Sequence, residues 1–194
     1  MPDELTTDLT TVVLMGVSGS GKTVVGQALA GRLGVDFIDA DDLHPPANRE
    51  KMAAGTPLDD DDRWPWLELV GEWLGGHPTG GVTACSALKR SYRDALRRHL
   101  PEVRFVMLHG DRDLLAARLR ARAGHFMPPS LLDSQLDTLE PLAADEAGVV
   151  VEVSPPVDEV VEAVVAGLGV EPSRAAQDEQ DSRETRQPEP QEAP

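Results

Sequence analysis

Gly16-Val17-Ser18-Gly19-Ser20-Gly21-Lys22-Thr23 is the stretch that decides the fold of this chain. It fits G-x-x-x-x-G-K-[ST], a loop whose glycines let the backbone turn tightly and aim its N–H groups at phosphate oxygens. The pattern carries weight only between a strand and a helix, and both flanks are present. Thr11 to Gly16 (TVVLMG) is a short apolar run ending in glycine, which reads as a buried strand. Gly21 to Leu33 has helical spacing at Val25, Leu29 and Leu33. In that setting the helix presents its positive end to the bound phosphates. Lys22 is placed to reach the β- and γ-phosphates, and Thr23 to offer its hydroxyl to Mg²⁺. GTPases, ATPases and kinases all use such a loop, so it does not say what receives the phosphate.

Working outward, strands and helices alternate. Val35 to Asp39 reads as a second strand, and His44 to Ala54 as a polar helix after Pro45-Pro46. Trp66, Val70 and Trp73 are spaced for another helix, ended by Gly75-Gly76 and Pro78. Gly81 to Ser86, Val103 to Leu108 and Val149 to Val153 read as strands. Leu88 to Leu100 and Arg112 to Arg122 read as helices between them. Val157, Val160, Val161, Val164, Val165 and Leu168 form one apolar stripe of a last helix. The predicted fold class is α/β, a parallel sheet of apolar strands covered by helices on both faces.

The chain has 194 residues, 40% of them apolar, which suits a single domain with a real core. We expect an N-terminal extension over 1–10 and one domain over 11–170. From Glu171 the composition turns to Glu, Gln, Pro, Ser and Arg, and 171–194 reads as a disordered acidic tail, passive or a docking peptide. A net charge of -16 argues against nucleic acid or an anionic membrane as partner. Cys85 is the only cysteine, so no intrachain disulfide forms. Met1-Pro2-Asp3-Glu4 lacks a signal pattern, and no apolar run spans a bilayer, so the expected compartment is the cytoplasm.

Three further groups carry candidate chemistry. Asp39 and Asp41 leave the second strand on the rim where ligands of open α/β sheets bind. There a carboxylate either orients Mg²⁺ and takes the proton of an attacking hydroxyl, or simply caps a helix. The segment that follows, with His44, Arg49 and Lys51, mixes groups suited to hydroxyls with groups suited to an anion. Lys89 and Arg93, four apart after the third strand, either bind an acidic acceptor or form an ordinary basic face. Arg118 and Arg122 precede Gly124-His125-Phe126 and Pro128-Pro129. They suit a mobile lid at about 122–130 that brings positive charge to the phosphoryl group, or else complement a helix dipole.

Taken in order, MGVSGSGKT, DADDLHPPANREKMAAGTPLDDDDRWPWL, CSALKRSYRD and RLRARAGHF with LLDSQLDTLE resemble the gluconokinase family, from the first strand to about Val165. The second and third blocks are the more specific ones. The resemblance implies phosphorylation of D-gluconate by ATP at the 6-hydroxyl, and a P-loop fold like the nucleoside monophosphate kinases with a five-stranded parallel core. It implies Lys22, Asp39 and Arg122 in catalysis, Thr23 and Asp39 at Mg²⁺, and the loop with Arg118 and Arg122 on the nucleotide. It implies Asp41, His44, Arg49 and Arg93 around gluconate, Ser154-Pro155-Pro156 against the adenine, and a homodimer. The rivals are a kinase of another small molecule, such as shikimate or a nucleoside monophosphate, and a non-catalytic nucleotide-binding module. A GTPase would need N-K-x-D, which the chain lacks.

Overall fold

A computed structural model describes residues 10–54, 56–121 and 129–170. The expected extension up to residue 9, the lid residues 122–128 with Arg122, and the tail 171–194 lie outside these.

Five strands form one sheet in the order β2-β3-β1-β4-β5. They are β1 (Thr11–Met15), β2 (Phe37–Asp39), β3 (Gly81–Ala84), β4 (Arg104–His109) and β5 (Gly148–Glu152), and every pairing is parallel. Successive side chains of a strand point to opposite faces. Val12 and Leu14 of β1, with Val106 and Leu108 of β4, enter one core together with Val25, Leu29, Val161 and Val164. These come from α1 (Lys22–Leu33) and α7 (Val157–Leu168). Val13, Met15, Phe105 and Met107 enter the other, with Trp66, Leu67, Val70 and Leu96 from α3 (Asp60–Gly75) and α4 (Arg90–His99). The expectation of strands buried on both faces holds at the centre and fails at the edge, where Val150 of β5 is 58% exposed.

The chain runs from β1 outward to β2 and β3, then crosses to β4 and β5 on the other side. The loop after β1 therefore opens at the point where the winding changes direction, the usual crevice of such sheets. Helix α2 (Pro46–Ala53) starts on Pro46, whose missing N–H costs nothing at that position. Helix α3 starts earlier than the tryptophan spacing predicts. Asp59 and Asp62 form a reciprocal capping box, each carboxylate accepting from the other's backbone N–H at 3.0 Å. The acidic run 59–62 is thus the start of a helix at its positive end. Between α5 (Arg112–Ala121) and β5 lies α6 (Pro129–Thr138), which the sequence reading did not identify. Among the described residues no helix is long and apolar enough to cross a membrane.

Arg93 corrects an expectation. It was expected beside the acceptor, yet its side chain is fully buried on α4. Nε and Nη2 donate to the two carboxylate oxygens of Glu146 at 2.7 and 2.8 Å. Nη1 donates to the carbonyls of Ala87, Leu88 and Glu140, and Nη2 to that of Pro141. The guanidinium is spent inside the protein and has no donor left for a ligand. What it holds is the turn after β3, where Ala87 has φ 39, the one positive φ of a non-glycine among the described residues.

Hydrogen bonds from Arg93 hold the Glu146 carboxyl down at about 2. Its folded value lies below the ordinary carboxylate value of about 4.3, so the pair contributes fully above that pH and loses its contribution as pH falls toward 2. Arg93→Met leaves the Glu146 carboxylate to Arg97, 2.6 Å away, and to Ala143 N–H, strips four carbonyls of a donor, and should cost about 3 kcal/mol at pH 7. Urea unfolding of Arg93→Met and Glu146→Gln against the parent, at pH 7 and at pH 3, measures both the loss and its narrowing in acid. Equal stability at pH 7 would remove the pair from the fold's support.

Candidate active site

The phosphate loop folds as a backbone cradle. Gly16 and Gly19 adopt φ 135 and 84, and a Cβ on them would meet the carbonyl oxygens of Leu108 at 2.7 Å and Leu115 at 2.8 Å. Only glycine fits either position. Helix α1 begins after Gly21 with no side-chain cap, so its first N–H groups remain for an anion. Lys22 Nζ donates to the carbonyls of Gly16 and Val17, both at 3.0 Å, and so lies folded across the loop's mouth. The loop is tied to its surroundings by Gly16 N–H to Ser86 O at 3.2 Å and Ser18 N–H to Gln135 Oε1 at 2.7 Å.

Thr23, in the first turn of α1, donates its hydroxyl to Asp39 Oδ2 at 2.7 Å. The other Asp39 oxygen accepts from Asp41 N–H at 3.1 Å and caps the short turn Ala40–Leu43. One Asp39 oxygen thus serves as the cap, and the other faces the Thr23 hydroxyl. A hydroxyl and a carboxylate side by side at the foot of a phosphate loop are hard oxygen donors, the set that suits Mg²⁺. A cleft of about 500 Å³ opens here, lined by Thr23, Gln27, Phe37, Ile38, Asp39, Asp41 and Asp42. The Asp41 carboxyl is raised above its ordinary range by loss of hydration in the cleft and by the charge of Asp39, against the pull of Lys22. Because 85% of its side-chain surface still reaches solvent, the Asp39 charge is the sturdier of these causes.

His44 is 6% exposed and stacks on Trp66 with ring centroids 4.4 Å apart. Trp66 is fixed in turn by Nε1–H donating to Ala40 O at 2.7 Å. Asn48 Nδ2 lies 3.3 Å from His44 Nδ1. An amide NH₂ only donates, so Nδ1 accepts and the ring proton sits on Nε2, 3.8 Å from Asp41 Oδ1. Burial first, and then the charges of Arg49 and Arg63, lower the His44 pKa against the opposing pull of Asp41. The ring is neutral at pH 7 and offers a hydrogen-bond donor rather than a cation. Arg49 donates to the carbonyls of His44 and Asp42 from the exposed side of this corner.

The remaining expected groups divide. Lys89 pairs with Asp60 at 2.9 Å, and Tyr92 and Arg63 converge on the same carboxylate. Arg118 donates to Val153 O at 2.7 Å. It lines a second pocket of about 260 Å³ with Ser20, Gly21, Val24, Val153, Pro155 and Val157. The loop, Arg118 and the Pro155 turn therefore meet on one side, and Asp39, Asp41, His44 and Arg49 on the other. Arg93 joins neither, and Arg122 lies outside the described residues. Sequence reasoning missed Gln135, because helix α6 itself was missed. The spacing Leu132, Leu136, Leu139 carried the helical signal, and Leu132 is buried.

Comparison with known proteins identifies the family. A family model described as "AAA domain" matches residues 12–142. The thermoresistant gluconokinase of Escherichia coli (strain K12) is 46% identical over 157 residues, spanning 79% of this chain and 90% of that protein. The crystal structure of a gluconokinase from Sinorhizobium meliloti 1021 superposes with a TM-score of 0.78 at 48% identity, covering 90% of this chain and 98% of that one. A shikimate kinase from Acinetobacter baumannii, at 20% identity and a TM-score of 0.59, shares the fold alone. The chain belongs to the gluconokinase family.

Proposed function

We infer that this chain is a gluconokinase: it transfers the γ-phosphoryl group of ATP to the 6-hydroxyl of D-gluconate, giving 6-phospho-D-gluconate and ADP. The observation that carries the reading is the 2.7 Å contact between Thr23 of the phosphate loop and Asp39 of the acid corner, which sets a phosphate site against a hydroxyl site.

The chemistry asked of the protein is positioning and charge neutralisation. Gluconate O6 attacks the γ-phosphorus in line as the bond to the bridging oxygen of ADP breaks. The O6 proton passes to Asp39. Lys22 leaves the loop carbonyls to follow the β- and γ-oxygens, exchanging neutral acceptors for charged ones. Thr23 and Asp39 would hold Mg²⁺, which neutralises charge on the β- and γ-oxygens when bound. On the acceptor side, Asp41 and the neutral His44 Nε2–H pair with hydroxyls, and Arg49 supplies positive charge for the carboxylate end of gluconate. Arg118 belongs to the nucleotide side, with the Pro155 turn flanking the base. Arg122, outside the described residues, is assigned to catalysis by the family resemblance alone. We place the enzyme in the cytoplasm as a homodimer, and its charge of -16 supports a reading without nucleic acid or membrane as partner.

The first test is ADP release with Mg-ATP and D-gluconate, shikimate, AMP, CMP or no acceptor. Release stimulated by gluconate alone is expected; stimulation by another acceptor would overturn the substrate, and none by any acceptor would overturn the kinase reading. In Lys22→Ala, kcat should fall about 10²–10³-fold with the gluconate KM little changed. Equal losses in both, from folded protein, would sink that role. His44→Ala and Arg49→Ala should each raise the gluconate KM by roughly tenfold, the worth of one lost polar contact, and leave the ATP KM in place.

A further inference from the structure

Ser18 N–H, at the tip of the phosphate loop, donates to a side chain 117 residues away in sequence: Gln135 Oε1 of α6, at 2.7 Å. A backbone N–H only donates, so the facing atom of the carboxamide is its oxygen. Helix α6 is held in its turn at the acceptor rim. Just past its C-terminus, Glu140 donates its N–H to Leu88 O at 2.8 Å, and its Oε2 accepts from Arg90 N–H at 2.6 Å. The Glu140 carbonyl accepts from the buried Arg93. The rim is also bonded directly to the loop through Gly16 N–H and Ser86 O. Loop, rim and α6 thus close a triangle, with Gln135 as a side-chain link to the loop tip. On the far side, Arg112 of α5 makes a two-pronged pair with Asp133.

Resting on the reading above, we propose that Gln135 is a positioning residue for phosphoryl transfer, a brace that sets the phosphate loop at its working distance from the rim on which the acceptor is held. The Ser18 N–H that it occupies is turned away to α6 and does not serve the phosphates. The brace acts on alignment, and the remaining loop N–H groups and Lys22 still hold the nucleotide. In-line transfer is steep in alignment, so a small shift of donor relative to acceptor lowers turnover without weakening the binding of either. Water needs no such alignment with the acceptor rim, so slow hydrolysis of ATP survives the loss of the brace.

Gln135→Met keeps the length and removes the acceptor oxygen. At saturating ATP and gluconate it should lower kcat about 10- to 100-fold. KM for both substrates and the gluconate-independent release of ADP should stay near the parent values. Gln135→Glu keeps the acceptor and should retain kcat within about threefold, at a raised ATP KM from its charge near the phosphates. Glu140→Ala removes the Oε2 contact to Arg90 N–H, leaves the two backbone bonds of that side, and should show the same split more weakly, and the double variant should fall no further than the worse single one. Parallel loss of hydrolysis and transfer would overturn the brace, as would equal losses in Gln135→Met and Gln135→Glu, additive losses in the double variant, or no loss at all. The parent enzyme keeps the two claims apart. If it fails to turn over gluconate, the functional reading fails; if it succeeds and the variants match it, only the brace fails.

Discussion

Two glycines pressed against neighbouring backbone fix the rest of the site. Gly16 and Gly19 run so close to the carbonyls of Leu108 and Leu115 that neither has space for a side chain. The loop is therefore seated between the end of β4 and α5, and its N–H directions are set by the sheet rather than by its own sequence. The first turn of α1 must then start at Lys22 and Thr23. From there Thr23 reaches Asp39 only because β2 runs parallel to β1 with β3 between them, so that their carboxyl ends share one rim. A change in strand order would leave every motif intact and still separate them.

The distribution of charge explains how a chain of net charge -16 holds a polyanion. Most described cations outside the loop are paired: Lys51 with Asp62, Lys89 with Asp60, Arg90 with Asp145, Arg112 with Asp133. These pairs are largely exposed and add little to stability. They fix which helix end faces which loop. Phosphate is left to backbone dipoles and to Lys22, which bind at short range and need no basic surface.

The fold was legible in the sequence because a parallel sheet buries its central strands on both faces, and β1 and β4 read as unbroken apolar runs. The phosphate loop was legible because its chemistry is local, eight consecutive residues with strict backbone needs. Arg93 was misread because spacing on a helix tells which residues share a face and not what lies against that face. Its partner Glu146 stands 53 residues away, on a turn with no pattern of its own. The acid run 59–62 has no apolar period of its own, and the capping box that consumes Asp59 and Asp62 appears only once the helix start is placed. Gln135 was hidden for a related reason: a polar residue on a short amphipathic helix reads as surface until its partner is known.

The two sides of the cleft are electrically unlike, and this bears on transfer. On the loop side stand the cations Lys22 and Arg118 and the uncapped first turn of α1. In the acceptor corner both perturbed groups move toward their neutral forms, the Asp41 carboxyl upward and the His44 ring downward. A neutral imidazole wedged on Trp66 cannot turn to meet the phosphates as a cation, so it keeps its Nε2–H for a hydroxyl. On the proposed reading such a corner suits a polyol acid, with neutral hydroxyls to be paired and one charged end to be met by Arg49. A more cationic corner would draw the triphosphate itself and lose the division between donor and acceptor. The acceptor corner, with its neutral imidazole and its carboxylates, is thus set apart electrically from the cationic loop side.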